Sequence, residues 1–472
     1  MPKPDRKFRR YDPDQSTLMP HDMRDWLPKG HLAYFMRQVV ERMDLGPFYK
    51  YYDNDGRGCV PYDPMVMVTI ILYAYAVGVN SAREMARMLY TDVAFRFLAA
   101  GNYPDHETIN GFRNRHADDL GKMLQETVLL AREAGLARMG IVSLDGTKMK
   151  ANASLAANRS KAGIDEKIKR DFDEYLKRAE EVDRRENAEF GDGEDGFILP
   201  PGFYGKDLGK RLDEAKRQID AEDSRQRSED EEKAAARKKK EEEAARKGKK
   251  LRGRKPKEPD EKQMHLKETK RNTTDPDSRV MSTAKGFVQG YNMQFMVDCE
   301  SHIVLEVDTV QDCNDKRQMI PMLDRLTKTH GRPIALTDDA GYFSAPALRA
   351  ALARGVMIFM PSKNRHKVGG VVRQGPPPDG LSQAQQMEWT MATPAGRDIY
   401  KMRCSTAEPC FGVIKWAMGF SHFELRGLKK VRLEARLMAT GRNINRLNTV
   451  NIERKRRGGT LFPPEMRSLA TS

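Results

Sequence analysis

The chain is poor in cysteine and lacks the short motifs that mark several common enzyme classes. Its 472 residues include five cysteines and no Cys-x-x-Cys pair, a pattern that favours reduced thiols over a disulfide framework or a zinc ribbon. No Gly-x-Ser-x-Gly elbow and no Walker-type glycine loop occurs, so neither a serine hydrolase nor an ATP-dependent enzyme is expected.

The sequence also lacks a hydrophobic run that could cross a bilayer. Its most apolar stretch, residues 65–79, is shorter than the roughly 20 residues that a spanning helix needs. We therefore predict a buried core helix there and no membrane partner. The first residues contain no apolar signal core, so a cytoplasmic protein is predicted.

Positive charge is present in excess. Lysine and arginine number 83 against 68 aspartates and glutamates, which gives a formal net charge of +15. An excess of this size is typical of proteins with a polyanionic partner, and nucleic acid is the first candidate.

Three acidic residues carry the chemical signal. The apolar run that ends at Asp145 is followed by Gly146, which predicts a strand that stops at the acid, and a second such run ends at Asp339. Glu408, beside Pro409, is predicted to lie in the first turns of a helix. Carboxylates delivered by two strand ends and a helix form the hard-oxygen set that Mg²⁺ or Mn²⁺ prefers.

Each acid alone also has an ordinary explanation, because an aspartate after a strand commonly caps a turn. Asp338 is an alternative to Asp339, and Glu424 and Glu434 are alternatives to Glu408. Asp339 is preferred because it directly precedes an Ala-Gly-Tyr triplet, and Glu408 because the other two glutamates lack the surrounding pattern.

Composition divides the chain into four parts. Residues 1–137 are predicted to form a helical, DNA-binding domain; residues 138–158 and 272–448 alternate strands with helices; residues 159–271 are a charged helical insertion, partly disordered; residues 449–472 are a basic tail. The insertion is either a solvated spacer or a clamp on the DNA backbone.

The predicted order from Asp145 onward is three strands, helix, strand, helix, strand, helix. Strands that alternate with helices after an initial meander predict an α/β fold with a mixed sheet covered on both faces. This order is that of a ribonuclease H-like domain.

Six motifs carry a family resemblance, and they lie at residues 143–148, 275–279, 290–294, 339–342, 408–415 and 425–431. In this order they resemble those of DDE transposases of insertion sequences, closest to the IS1182 family within the IS4/IS5-like superfamily. The resemblance implies DNA strand cleavage and strand transfer at the ends of an insertion sequence. The alternative is a catalytically inactive, transposase-derived DNA-binding protein or regulator.

The resemblance also implies site residues. Asp145, Asp339 and Glu408 would be the catalytic triad and the metal ligands. A related signature, Tyr-x2-Arg-x3-Glu-x6-Lys, is matched apart from one extra residue before the glutamate. Residues expected to contact DNA are Lys148, Lys150, Tyr400, Arg403, Lys415, Arg83, Arg87 and Arg113. An ordinary solvated basic face is the alternative for the arginines of the helical domain.

The implied cofactor is Mg²⁺ or Mn²⁺. The implied partners are double-stranded DNA with inverted-repeat element ends, target DNA, and a second copy of the chain in a homodimeric active complex. A bacterial, nucleoid-associated protein is expected.

Overall fold

The computed structural model describes residues 22–52, 60–168, 170–171, 174, 206–246, 269–284, 286–362 and 372–462. The predicted disordered portion near residues 249–260 lies outside them. The first part of the chain is helical, and its helices are α1 (Met23–Trp26), α2 (Leu32–Val40), α3 (Gly46–Tyr49), α4 (Pro64–Ala76), α5 (Ala82–Thr91), α6 (Val93–Leu98), α7 (His106–Arg115) and α8 (Ala117–Glu133).

Helix α4 occupies the centre of this helical part. It begins where the Asp63 side chain accepts a hydrogen bond from the Met65 amide, and Pro64 fills the first helical position. Almost all of its residues are buried, which confirms the predicted core helix. No helix in the described part of the chain is both long and apolar enough to span a bilayer.

The strands of the chain are β1 (Ile141–Lys150), β2 (Asn158–Arg159), β3 (Arg271–Asn272), β4 (Arg279–Thr283), β5 (Gly286–Asp298), β6 (Val304–Val310), β7 (Ala335–Thr337) and β8 (Met357–Phe359). Strand β5 pairs antiparallel with β1, β4 and β6, whereas β1, β7 and β8 are parallel. The order across this six-stranded mixed sheet is therefore β4–β5–β1–β7–β8, and β6 is a further partner of β5, which gives β6–β5–β1–β7–β8 as a second path.

The remaining named α-helices are α9 (Lys206–Arg246), α10 (Met319–His330), α11 (Ala345–Ala353), α12 (Gln383–Ala392), α13 (Pro394–Gly412) and α14 (Leu428–Arg456). After β1, the predicted elements follow in the predicted order, with β5 and β6 completing the meander before α10, β7, α11 and β8, and β4 is an additional strand that pairs with β5. The predicted mixed α/β architecture is confirmed.

One apolar core joins the helical part to the sheet. Helix α14 packs against α4, α8 and β6. At Gly441 it approaches α4 so closely that an added Cβ would lie 2.7 Å from the carbonyl carbon of Tyr75. Residues 449–456 continue this helix, with Val450 and Asn451 buried. The predicted boundary at residue 448 therefore falls inside a helix, because buried side chains continue past the point where composition turns basic.

The described part of the charged insertion has a small apolar cluster of its own and is hydrogen-bonded to the sheet domain. Leu212, Ala215 and Ile219 of α9 form a separate apolar cluster with Ile164. Gln218 also donates a 2.7 Å hydrogen bond to Asp277.

The loop that carries Asp277 connects three parts of the molecule. Its Oδ2 accepts a hydrogen bond from the amide of Leu428, the first residue of α14, at 2.8 Å. Two residues earlier, Asp275 accepts hydrogen bonds from the Tyr291 hydroxyl at 2.8 and 2.9 Å. The motif at residues 275–279 thus fixes the start of α14 to β5 and to the insertion.

Candidate active site

Asp145 lies in the middle of β1, which corrects the prediction that the strand stops at this acid. The strand continues to Lys150 because β5 pairs with it along its whole length. Its other neighbour, β7, pairs only as far as Ser143 opposite Thr337. Asp145 therefore lies just beyond the end of β7. Because β7 is the shorter strand, Asp145 has no strand beside it on that side and can be reached by a ligand there.

Asp339 enters from the loop that follows β7. Its Oδ1 accepts a hydrogen bond from the Gly341 amide at 2.7 Å. The next residue, Tyr342, is fully buried, and its hydroxyl donates to Oε1 of Gln294 on β5. The side chain of Tyr342 thereby connects the Asp339 loop to the centre of the sheet.

A cluster of hydrogen-bonded side chains continues from Gln294. Its Nε2 and the Nδ2 of Asn292 each donate to Oδ1 of Asp315 at 2.7 Å, and Lys148 lies 3.5 Å from the same oxygen. We call Tyr342, Gln294, Asn292 and Asp315 the polar clamp. Sequence reasoning missed Asp315, which lies in a turn without a distinctive pattern, although two of the resemblance motifs carry the other three residues.

Gly146 is required by the polar clamp. A Cβ added at this position would collide first with Nε2 of Gln294, and it would lie 2.8 Å from Oδ1 of Asp315 and 3.0 Å from the Tyr342 hydroxyl. The glycine next to Asp145 therefore allows the clamp to approach β1, whereas sequence reasoning assigned it to a turn.

Glu408 lies near the end of α13, which corrects its predicted place in the first turns of a helix. The helix begins at Pro394 behind the cap Thr393, so Pro409 lies in its interior. Proline has no amide hydrogen to donate to the preceding turn. Downstream of Pro409, a π-helical turn, Val413–Ala417, continues from α13.

Arg403 connects two of the three acids. Its guanidinium lies 3.1 Å from Oε1 of Glu408 and 3.7 Å from Oδ2 of Asp145, and its side chain is largely buried. The extra residue before Glu408 thus does not remove Arg403 from the site, because the long side chain reaches both carboxylates. Tyr400, one helical turn earlier, is half-buried.

Lys415 ties the π-helical turn to β1. Its ammonium donates to Oγ1 of Thr147 at 2.6 Å and to the carbonyl of Lys148 at 3.0 Å. Burial lowers the pKa of Lys415. The lysine therefore positions the end of α13 two residues beyond Asp145.

Burial dominates the electrostatics of the acids. It raises the pKa of Asp145 to about 6, although the Gly146 amide and Arg403 both favour the charged form. The charges of Asp339 and Glu408 act in the same direction as burial, which shows that the three acids share one electrostatic environment. Asp338 is fully buried, and neither of its carboxylate oxygens has a hydrogen-bond partner.

The carboxylate chemistry of the three acids suits a divalent cation, but their spacing in this structure does not. Among the residues that the structure describes, no group of three or more Asp, Glu, His or Cys side chains is arranged to hold a metal ion. A cation, the Arg403 guanidinium, already lies between Asp145 and Glu408. Carboxylate oxygens are ligands that Mg²⁺ or Mn²⁺ prefers, and in this structure the Arg403 guanidinium occupies the place beside two of them.

Glu434, an alternative third acid, has a structural role elsewhere. It is fully buried and accepts hydrogen bonds from Asn80 and from the amides of Glu424 and Leu425, each at 2.9 Å. The carboxylate thus holds the loop before α14 against the helical part. Glu424 itself lies 3.8 Å from His422.

Glu434 should make stability depend on pH. Burial raises the pKa of Glu434 from 4.5 to about 7. Between these two pH values the carboxyl group is protonated in the folded state and ionised in the unfolded state. The resulting stabilisation is complete below the unfolded pKa and is lost as pH rises through the folded pKa, a change of roughly 3 kcal/mol. We expect the unfolding free energy of the wild type, minus that of Glu434→Gln, to fall across this window in urea titrations. A difference that does not vary with pH would contradict this.

The arginines of the helical part differ in accessibility. Arg113 is 3% exposed and donates to the carbonyl of Asn80 at 2.8 Å and to Oδ1 of Asn110 at 2.7 Å. Its predicted role in DNA binding is therefore wrong for this structure, because its guanidinium is used inside the protein. Arg83 and Arg87 are exposed, and Arg87 pairs with Glu84 at 2.9 Å.

We expect Arg113→Ala to destabilise the fold by about 1–3 kcal/mol, since buried hydrogen-bond partners lose their donor. Urea unfolding followed by circular dichroism measures this, with the exposed Arg83→Ala as the matched control. If Arg113→Ala unfolds like the wild type but binds DNA more weakly, Arg113 contacts DNA as the sequence predicted.

Two family models match the chain. The model described as a transposase domain (DUF772) matches residues 21–115, and the model described as a transposase DDE domain matches residues 378–448. The second match contains Glu408, whereas Asp145 and Asp339 lie outside both matches. No curated protein matches the sequence.

One similar solved structure is the cryo-EM structure of the piggyBac transposase synaptic complex with hairpin DNA. It aligns over 92% of this chain and 77% of that chain, with 8% identity and a TM-score of 0.33. A TM-score this low does not establish a common fold.

Both matched families are transposase families, and the protein is a DNA transposase. The match that contains Glu408 makes it an enzyme of the DDE type. The predicted class of activity is thus confirmed.

Proposed function

We propose that Asp145, Asp339 and Glu408 are the catalytic carboxylates of this transposase. The observation that carries the proposal is that Arg403 contacts both Asp145 and Glu408, while Asp339 enters from the loop that follows β7, the strand beside β1. Glu408 is preferred to Glu434 as the third acid because all the hydrogen bonds of Glu434 hold a loop. Asp339 is preferred to Asp338 because the Asp338 carboxyl is fully buried.

The three carboxylates would hold Mg²⁺ or Mn²⁺. When bound, such ions activate the attacking oxygen and stabilise the leaving oxygen of a phosphodiester. The partial burial of Asp145 excludes water from one side of the site, which strengthens its interaction with a cation.

The basic residues would bind and orient the DNA backbone. Arg403 would exchange its two carboxylates for a phosphate, because a guanidinium forms paired hydrogen bonds with either group. Lys415 keeps its contacts with β1 and places α13 against the scissile phosphate. Lys148, Lys150 and Tyr400 would contact the strand on either side, and Arg83 and Arg87 would contact the duplex at the helical part.

The finer assignment is a ribonuclease H-like catalytic domain in a transposase of the IS1182 family, within the IS4/IS5-like superfamily. The strand order β6–β5–β1–β7–β8 and the position of the acids beside β1 and β7 support this. The substrates would be double-stranded inverted-repeat element ends and target DNA, with two copies of the chain in the active complex.

The direct test is a cleavage and strand-transfer assay. The full chain is incubated with Mg²⁺ and a duplex that carries the flanking inverted repeats of its own gene. We expect cleavage at the element end and joining to a second duplex. Cleavage without joined products would indicate a nuclease, and end binding without cleavage would favour the inactive regulator.

A further inference from the structure

A groove lies beside the candidate active site, along the half of β1 that follows Asp145. Its volume is about 740 Å³, and its walls come from β1, from the turn between β4 and β5, and from the π-helical turn. Three lysines and two aromatic residues are among those that line it, namely Lys148, Lys150, Lys415, Phe287 and Trp416. We call these five the lysine–aromatic groove.

The two aromatic rings are unusually accessible. Trp416 is 80% exposed and Phe287 is 68% exposed, although both are large apolar side chains. Exposed apolar groups that cluster in a concave surface mark binding sites more often than isolated ones. The π-helical turn contributes to this, since Lys415 bonds to β1 while the adjacent Trp416 remains open to solvent.

The charge of the groove selects an anion. Three lysines line it, and none of the described lining residues is acidic. Of these three lysines, only Lys148 has an acidic partner within the described part of the chain, Asp315, at 3.5 Å. The groove therefore combines positive charge with exposed aromatic rings, which is the combination that binds single-stranded nucleic acid. A duplex would satisfy the lysines but not the rings, because its base faces are stacked inside.

We propose that the lysine–aromatic groove binds a short unpaired DNA strand that continues from the cleavage site. Bases would stack on Trp416 and Phe287, and phosphates would contact Lys150 and Lys415. The proposal rests on the proposed function, since the strand comes from DNA whose scissile phosphate lies at Asp145. It adds a substrate class to that site, namely DNA that has separated locally from its complement.

The test compares binding of two probes to the full chain. One is an oligothymidylate of about ten nucleotides and the other is a duplex of the same length. With Trp26 and Trp389 replaced by Phe, the remaining tryptophan reports on the groove. We expect the oligothymidylate to quench Trp416 fluorescence more than the duplex does.

Substitutions of the two aromatic residues distinguish stacking of bases on the rings from a general hydrophobic contact. Trp416→Leu should weaken oligothymidylate binding about tenfold, whereas Trp416→Phe should retain most of it. Phe287→Leu should act in the same direction. Duplex binding should be unchanged in all three variants. Trp26→Ala is the matched control, because Trp26 is 53% exposed on α1.

The proposal is overturned if Trp416→Leu binds oligothymidylate as tightly as the wild type, or if it weakens duplex and oligothymidylate equally. The variant Asp145→Asn distinguishes failure of the groove proposal from failure of the proposed catalytic function. If Asp145→Asn still cleaves DNA, the catalytic assignment fails while the groove is unaffected. If it loses cleavage but the wild-type groove shows no preference for the unpaired probe, the groove alone is refuted.

Discussion

Replacing any one of Asp145, Asp339 or Glu408 by its amide should abolish cleavage of the element end while leaving DNA binding intact. Asparagine and glutamine keep the shape of each side chain but remove the negative charge that a divalent cation requires. The loss of one ligand should cost several kcal/mol of transition-state stabilisation, or roughly a thousandfold in rate. Single-turnover cleavage in Mg²⁺ measures the rate, and a gel-shift assay measures the binding.

Glu424→Gln is the matched control for these variants. Glu424 is the remaining alternative to Glu408, and it lies beside His422 rather than beside Arg403. It should cleave like the wild type. Retained cleavage in one of the three amide variants would remove that residue from the triad, and loss of cleavage in Glu424→Gln would transfer the role of third acid to it.

The second large effect is expected for Gly146→Ala. The added methyl group would collide with Gln294, Asp315 and the Tyr342 hydroxyl, and these side chains cannot simply move away because they are hydrogen-bonded to one another in the polar clamp. We expect the clamp to shift, and with it the Asp339 loop relative to Asp145. A displacement of about 1 Å at the catalytic groups can cost about a hundredfold in rate.

The stability cost should be smaller, about 1–3 kcal/mol, which is typical of overpacking. Urea unfolding of Gly146→Ala therefore shows whether lost activity comes from misplaced acids in a folded protein or from loss of the fold. Gly140→Ala is the matched control, since no atom lies within 4 Å of a Cβ added there. Equal activity of Gly146→Ala and Gly140→Ala would show that the clamp does not position the acids.

The polar clamp also gives a structural reason why motifs far apart in this sequence occur together. The residues at 290–294, 315 and 339–342 come from β5, a turn and a loop, yet they meet behind Gly146. Their spacing in the chain gives no indication of this contact. The motif order could therefore support a family resemblance, but it could not assign Gln294 or Asp315 a task.

Local patterns determined the elements and the chemical class of this protein. Apolar runs predicted β1, β5 and β7, the all-apolar stretch predicted α4, and the acids before glycine and proline predicted the triad, because each of these features depends on neighbouring residues. The net charge likewise predicted a polyanionic partner.

Only the tertiary structure decided where these groups stand relative to one another. It placed Arg403 between two acids, enclosed Arg113 among the helices, and set Glu408 at the end of α13 rather than at its beginning. It also placed Trp416 in the same groove as Phe287, which is more than a hundred positions earlier in the chain. Such contacts follow from how the helices pack on the sheet, and packing is determined by the whole core rather than by any segment of the sequence.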